Sequence, residues 1–378
     1  MEFDSVFFQQ AGLGEIYEKV LAGERLERSD GMRLFECDQP LAVGALAAHV
    51  RHRRHGNTAF YVANRQINYT NVCVNRCVFC AFRRDSADES GAFLLDHDEI
   101  IAKIDSANRL ATGLDELHMV GACHPELNLD WFARLLARIR RLWPNLQLKA
   151  FTPVEIAHFA RQEGISTLET LKILRKAGLQ MMPGGGAEIF AEDLRARLCP
   201  EKADAETWLR ISGEAHSMGI KTNCTMLFGH LENYAQRVDH LLRLREQQDK
   251  SGGFTCFIPL PFLRKHNRLE LPAERQGAAN GPDHLLTIAV ARLLLDNIDH
   301  IKAYWVMLGS KIAQTALAYG ADDLDGTIVE EHIGRMAGAA SAGGLTITQL
   351  EHMIRESGYR PVRRNAAFET VSHTGASA

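Results

Sequence analysis

The chain has no apolar stretch approaching the roughly 18 residues that a membrane-spanning helix needs. The nearest run, LLTIAVARLLL, is short and carries Arg292. The N-terminus, MEFDSVFFQQAGLGEIYEKV, lacks the basic opening and the long apolar segment of an export signal, so a cytoplasmic location is expected. No excess of positive charge is present either. Its 43 Lys and Arg against 47 Asp and Glu give a formal net charge of -4, which offers nothing to nucleic acid or an anionic membrane. Internal repeats are absent, and the only low-complexity stretch is the C-terminal end, FETVSHTGASA, which is expected to fray. No second C-x2-C pair occurs; structural zinc wants four ligands, typically as two close pairs. Eight cysteines in a reducing compartment read as thiols or thiolates and not as a disulfide framework.

What is present is soluble-globular composition over 378 residues, 46% hydrophobic and 24% charged, enough for one large barrel or two ordinary domains. Residues 1–58 read as a helical extension, with Leu21, Leu26, Leu34, Leu41, Val43, Leu46 and Val50 spaced by polar residues. The basic cluster RHRRHG, residues 51–56, reads as a solvated helix end stopped by Gly56. Residues 59–340 alternate between strand and helix signals. The strands are AFYVANRQINYTNVC, ELHMVGA, QLKAF, LQMMP, KTNCTMLFG, FTCFIPL, IKAYWVM and a short stretch at 323–328. Between them lie amphipathic helices at 96–113, 130–142, 204–218, about 235–250, from Asp283, and 311–319. Capping boxes are expected at Ser166 with Glu169 and at Thr346 with Gln349, the latter opening a last helix in a C-terminal tail, 341–378. Eight strand-helix units predict an α/β chain folded as a (β/α)8 TIM-type barrel.

The first predicted strand runs straight into Cys73, Cys77 and Cys80, in the spacing C-x3-C-x2-C. Three thiolates so close together can hold three irons of a cubic 4Fe-4S cluster and leave the fourth without a protein ligand. A cluster with all positions filled by four cysteines is suited to carrying electrons, whereas an open iron can bind a small molecule. Phe79 and Phe82 add a flat apolar surface beside that corner. This stretch resembles the radical S-adenosylmethionine (SAM) superfamily, and the resemblance implies a 4Fe-4S cluster and SAM as cofactors. The five other cysteines, Cys37, Cys123, Cys199, Cys224 and Cys256, stand singly and read as small buried residues.

In parallel barrels the active site collects on the loops after the strands. After the second strand, the small residues Gly121 and Ala122 resemble the segment that binds the methionine amine of SAM through its backbone. His124 beside them reads as a polar loop residue or a catalytic one. Lys149 is surface if it points outward and needs an anion if it points in. The turn PGGGAEIF allows a close approach of backbone to ligand, and its Glu188 can hold ribose hydroxyls or cap the next helix. Met226 and Glu232 lie in the segment TMLFGHLE, where they flank adenine or belong to the core. Asp322, Asp323 and Asp325 read as hydrogen-bonding groups more readily than as metal ligands, and Glu330-Glu331 as a helix start.

The segments NYTNVCVNRCVFCAF, KAFTPVEI, MPGGGAEIF, TMLFGHLE, FIPLPF and YWVMLGSKIAQTALAYGADDLDGTIVEE together resemble the aminofutalosine synthase family of the futalosine route to menaquinone. The related cyclase and deazaflavin-chromophore families of the same superfamily usually carry a small residue where Asp325 stands. The resemblance implies an enzyme in which the 5'-deoxyadenosyl radical adds to the enolpyruvyl double bond of 3-[(1-carboxyvinyl)oxy]benzoate. The implied products are 6-amino-6-deoxyfutalosine, methionine and bicarbonate, and the implied partners are this aromatic dicarboxylate and a low-potential electron donor such as flavodoxin or ferredoxin. Two carboxylates need cations or amide donors, and Arg83, Arg84, Lys149, Arg264, Lys265, His266 and Lys302 stand near predicted strand ends. A simple iron-sulfur electron carrier is the rival class, and it would be favoured by a fourth cysteine close to the triad.

Overall fold

A computed structural model describes residues 5–109, 113–277, 279–339 and 343–371. Seven parallel strands form the main sheet in sequential order: β2 (Asn64–Ile67), β3 (Glu116–Met119), β4 (Gln147–Ala150), β5 (Met181–Met182), β6 (Lys221–Phe228), β7 (Phe254–Pro261) and β8 (His300–Ile301). Sequential order in a parallel sheet requires a crossover after each strand, and helices supply it on one side. A second sheet of three, ordered β10-β1-β9, unites β1 (Thr58–Val62), β9 (Asp323–Gly326) and β10 (Arg360–Arg363).

The α/β, barrel-type architecture is therefore present, with seven strands in its main sheet. The predicted eighth strand joins instead a neighbouring sheet. Isolated bridges link the two: Lys302 pairs with Asp323 and Arg65 with Val329. The first predicted strand is broken at Ala63 into β1 and β2, which serve different sheets. Of the predicted strand IKAYWVM only Ile301 belongs to β8 (His300–Ile301), which starts one residue earlier than expected. The second half of IKAYWVM coils into the short helix Trp305–Leu308, whose Trp305 indole donates to Gly326 O at 2.9 Å.

The helices follow their sequence signals. His97–Asn108 starts at a reciprocal capping box of Asp96 and Glu99, and Ile347–Glu356 at one of Thr346 and Gln349. At Ser166 only half of the expected box forms, its hydroxyl accepting from Glu169 N at 3.1 Å. Residues 110–112, the end of the helix predicted over 96–113, lie outside the described residues.

The N-terminal extension is helical: α1 (Ser5–Gln10), α2 (Gly14–Ala22), α3 (Arg28–Phe35) and α4 (Pro40–His55). Leu26, Leu34, Val43 and Leu46 are buried there, while Leu21 and Leu41 are exposed. Helix α4 packs on the helix Gly281–Leu294. The basic end of α4 is only in part a solvated surface: His52 and Arg53 are exposed, but Arg51 and Arg54 turn inward. Arg51 is fully buried and donates to Gly56 O at 2.6 Å, and Arg54 donates to Ile298 O at 2.9 Å. Guanidinium groups capping backbone carbonyls thus bind the extension to the N-terminal ends of the strands.

The C-terminal tail also holds a strand that the sequence pattern did not announce. β10 pairs in parallel with β1, Thr58 opposite Arg360. Phe368, read from sequence as fraying, stacks on His300 with ring centroids 3.7 Å apart. Residues 372–378 of the predicted frayed end lie outside the described residues.

Candidate active site

A cavity of about 300 Å³ opens at the C-terminal ends of the strands. Its size is at the lower end of the range for small-molecule sites. Cys73, Cys77 and Cys80 all border it, on the loop that leaves β2. That loop is pinched at its base, where Cys73 N donates to Arg84 O at 3.0 Å and Arg84 N to Asn71 O at 2.8 Å. Within it, Cys80 N donates to Cys77 O at 3.2 Å, so the backbone turns back on itself between the last two cysteines, both of which line the cavity. Arg84 is spent on this architecture, its guanidinium capping Arg83 O at 2.9 Å and Ser90 O at 3.0 Å.

Phe79 and Phe82 line the same end of the cavity. Lys202, on the loop after the helix Glu192–Leu198, pairs with Glu188 and lies 5.3 Å over the Phe79 ring. Burial works to strip the Lys202 proton, but Cys77 and Glu188 more than offset it and hold the ammonium charged. A cation at this place compensates the negative charge of thiolates. Three soft sulfur donors facing one chamber, with a cation beside them, fit a 4Fe-4S cluster.

The remaining wall is built from successive strand ends. Gly121 and Ala122 border the cavity after β3, and Gly121 has no room for a side chain, since a Cβ would lie 2.7 Å from Tyr69 Cζ. The Tyr69 hydroxyl donates to Glu155 at 2.6 Å, and Glu155 also accepts from Gly121 N at 3.2 Å and Thr152 N at 2.7 Å. One buried carboxylate thus ties the loops after β3 and β4 together. Burial raises the Glu155 pKa, and those hydrogen bonds oppose the rise. After β5 come Gly184, Gly185, Gly186 and Glu188; β6 and β7 contribute Leu227, Ile258 and Leu260.

Deeper, on the strands themselves, the lining turns polar: Gln66, His118, Lys149, Lys302 and Asp325. Lys149 points inward and meets Glu116 at 2.6 Å; Lys302 meets Asp325 at 3.0 Å. Behind them Arg364 from the C-terminal tail pairs with Asp323. Burial lowers the Lys149 pKa, opposed by Glu116, while Asp325 and Asp323 outweigh burial at Lys302 and raise it. Burial and Lys149 together hold His118 at about 3, a neutral imidazole. Glu331 borders the cavity as well, its carboxyl pKa raised by burial while it accepts from Gly334 N at 2.8 Å and so starts the short helix Ile333–Met336.

Several sequence candidates fall outside the cavity. His124 Nδ1 accepts from Glu126 N at 3.1 Å within its own loop. Arg264 donates to Arg275 O at 2.9 Å on the surface. His266 holds a left-handed φ of 60° in the same loop and is exposed. Met226 is in the core, because the cavity side of β6 belongs to its neighbours Thr225 and Leu227. Glu232 is buried in a structural network with His230 N, Gly229 N and Arg237. Glu188 is paired with Lys202 and caps no helix; the helix that follows begins at Glu192. Sequence reasoning passed over Lys202, His118 and Glu116. Only His118 had a usable signal, a polar residue inside the apolar strand ELHM.

Asp322 serves another cluster, at the N-terminal ends of the strands, where it pairs with Arg292 and accepts from His300 Nδ1 at 2.6 Å. His55, His300 and Asp322 have potential ligand atoms within 4.8 Å of one another, but both carboxylate oxygens are already engaged. The cysteines outside the triad are not all isolated core residues: Cys123 hydrogen-bonds Cys73, and Cys199 hydrogen-bonds Cys77. Distance along the chain was thus a poor guide to which thiols lie near the triad. No helix among the described residues is long and apolar enough to cross a membrane.

Comparison with known proteins extends these observations. Residues 67–244 match the family described as the radical SAM superfamily, and residues 251–376 that described as the CofH/MqnC C-terminal region. The chain is 42% identical over 356 residues to the aminodeoxyfutalosine synthase of Thermus thermophilus, covering 94% of this chain and 95% of the relative. It is 41% identical over 348 residues to the 5-amino-6-(D-ribitylamino)uracil--L-tyrosine 4-hydroxyphenyl transferase of Methanoculleus marisnigri, covering 92% and 94% respectively. The crystal structure of a methylornithine synthase superposes with a TM-score of 0.72 at 16% identity, over 92% of this chain and 97% of that one. That likeness concerns the fold.

Proposed function

This chain belongs to the radical SAM superfamily, and we propose that within it the protein joins the 5' carbon of an adenosyl group to the enolpyruvyl carbon of 3-[(1-carboxyvinyl)oxy]benzoate. The product is 6-amino-6-deoxyfutalosine, released with methionine and bicarbonate in menaquinone biosynthesis. As a superfamily member the chain is an enzyme and works with a 4Fe-4S cluster and SAM. The observation that carries the substrate assignment is the layout of the cavity. Thiols stand at its loop end, apolar side chains line its middle, and the ammonium groups of Lys149 and Lys302 lie on the strands beneath. An aromatic dicarboxylate has the matching pattern of apolar ring and anionic ends. The identity to the aminodeoxyfutalosine synthase of Thermus thermophilus supports the same reading.

Cys73, Cys77 and Cys80 would hold three irons, and when bound the centre supplies the electron that splits the sulfonium of SAM and frees its 5' carbon for bond formation. The chain's own groups do the positioning. Gly121 and Ala122 offer backbone to the methionine amine, in a loop that Glu155 holds still. Glu188 accepts from ribose hydroxyls and keeps Lys202 beside the thiols, a role supported by its position on the cavity wall and its pairing with Lys202. Leu227, Ile258 and Leu260 exclude water from the reacting carbons. Lys149 and Lys302 share their charge between Glu116, Asp325 and a substrate carboxylate. A flavodoxin or ferredoxin is the fitting electron donor.

The second reading is aryl transfer from tyrosine, favoured by the 41% identity to the Methanoculleus marisnigri transferase. Asp325 argues for the first. It pairs with Lys302 in the cavity at 3.0 Å, so the small residue usual in the related families would leave that lysine differently occupied. Protein reconstituted anaerobically and given reductant, SAM and the enolpyruvyl benzoate should form an adenosyl adduct and methionine. Free 5'-deoxyadenosine as the main product, or turnover only with tyrosine and a diaminouracil, would sink the assignment.

A further inference from the structure

Two thiols from outside the C-x3-C-x2-C spacing stand against two inside it. The loop after β3 runs beside the cysteine loop, with Val74 N donating to Cys123 O at 3.0 Å, and the Cys73 and Cys123 side chains hydrogen-bond. Asn75 Nδ2 donates to Cys123 Sγ at 3.3 Å and holds that sulfur in place. On the other side the arrangement recurs. Val78 N donates to Leu198 O at 3.0 Å, and the Cys77 and Cys199 side chains hydrogen-bond. In each case the two thiols are neighbours, and the segments carrying them are already tied by a main-chain hydrogen bond. Backbones held side by side are what disulfide geometry demands. Cys80 takes its hydrogen bonds from the backbone of Arg83 and Phe82. Cys73, Cys77 and Cys123 all border the cavity, so a small oxidant has access to one member of each pair.

We propose that Cys73–Cys123 and Cys77–Cys199 are two sites of reversible disulfide formation, used by the chain when its cluster has been lost and a peroxide is the oxidant. One thiol of a pair attacks hydrogen peroxide, breaking the O–O bond to give a sulfenic acid and water. Its neighbour then attacks that sulfur, forming the S–S bond and releasing the second water. Two electrons leave the two sulfurs and reduce one peroxide, and a dithiol reverses the step. Bridging and iron ligation compete for Cys73 and Cys77, so a bridged chain cannot reload iron until it is reduced. In return, two ligands stop at a recoverable stage of oxidation instead of proceeding to sulfinic acid. Cys123 and Cys199 are thereby guards of the triad, a role that does not depend on which substrate the enzyme takes.

The test uses the full chain, stripped of iron anaerobically, treated with hydrogen peroxide and digested without reductant. Peptide mass spectrometry should find residue 73 linked to 123 and residue 77 to 199, each link with the loss of two hydrogens and each reversed by dithiothreitol. Iron-sulfur reconstitution, read from visible absorbance and bound iron, should fail in the bridged chain and return after reduction. Cys123→Ala should remove only the first link and Cys199→Ala only the second, each leaving sulfinic acid on the freed partner. Links among Cys73, Cys77 and Cys80 themselves, or sulfinic acid on Cys73 and Cys77 of the unsubstituted chain, would overturn the proposal. One link without the other would overturn it for the missing pair.

Discussion

Lys149 Nζ lies 2.6 Å from Glu116 Oε1 inside the barrel, and both side chains are buried. Removing one member leaves the other charge buried and uncompensated, which costs about 3–5 kcal/mol. Glu116→Gln should therefore destabilise the chain by about that much, measured by urea unfolding. Glu116→Leu combined with Lys149→Met should lose clearly less than the sum of the two single changes. Strict additivity would mean that the two groups do not stabilise each other.

Cys77→Ala should abolish the visible absorbance of the reconstituted protein and its turnover together. Cys224 is buried on β6 and does not border the cavity. Cys224→Ala should keep the absorbance and cost about 1–2 kcal/mol of stability through the cavity it leaves. Equal loss of iron in both variants would remove the distinction between ligand and core cysteine.

Gly121→Ala forces its Cβ against the Tyr69 ring, which the bond to Glu155 holds in place. The loop must move, and a displacement of about 1 Å costs on the order of 100-fold in rate. The expected signature is weaker SAM binding by equilibrium dialysis with iron content unchanged. Unaltered SAM affinity would place the methionine elsewhere.

His240 is fully buried, its Nε2 bonded to Thr225 O at 2.9 Å and its Nδ1 accepting from Phe190 N at 3.2 Å. Burial lowers its pKa to about 3, far below the roughly 6.5 of an unfolded histidine. Its contribution to stability is therefore complete above the unfolded value and lost as pH falls from there toward the folded one, at about 1.4 kcal/mol per pH unit. His240→Gln, which does not titrate, should flatten the acid limb of the stability curve between about pH 6.5 and about pH 4.5 by that slope. An unchanged limb would show that the ring is protonated in the folded state.

Much of the fold was legible because its signals are local. The box at Thr346 and the helix signal over 96–113 place helix starts within one turn of sequence. The cysteine spacing was equally local, three ligands on one short loop. The strand IKAYWVM misled because a short apolar run has the same composition in a strand as in a buried helix. Here Trp305 found its hydrogen-bond partner across the chain in Gly326 and the helix won. The basic end of α4 misled in part because nothing near residues 51–56 announces the carbonyls of Asp296 and Ile298, which take up the Arg54 guanidinium. At His124, Arg264 and His266 the residue type suited chemistry, but the loops turn these side chains away from the cavity.

The order of residues alone determined the iron-ligand triad, the strand-helix alternation and the helix caps, since each depends on neighbours a few positions apart. Tertiary structure decided which face of β4 carries Lys149, because successive side chains alternate and only pairing with β3 says which set looks inward. It also decided that Arg364, directly after a tail strand paired with β1, would neutralise Asp323 behind the cavity. Above all it brought Cys123 and Cys199 against the triad. Contacts between distant parts of a chain depend on how strands are ordered in the sheet and how loops cross over their ends, and no short stretch of sequence encodes either.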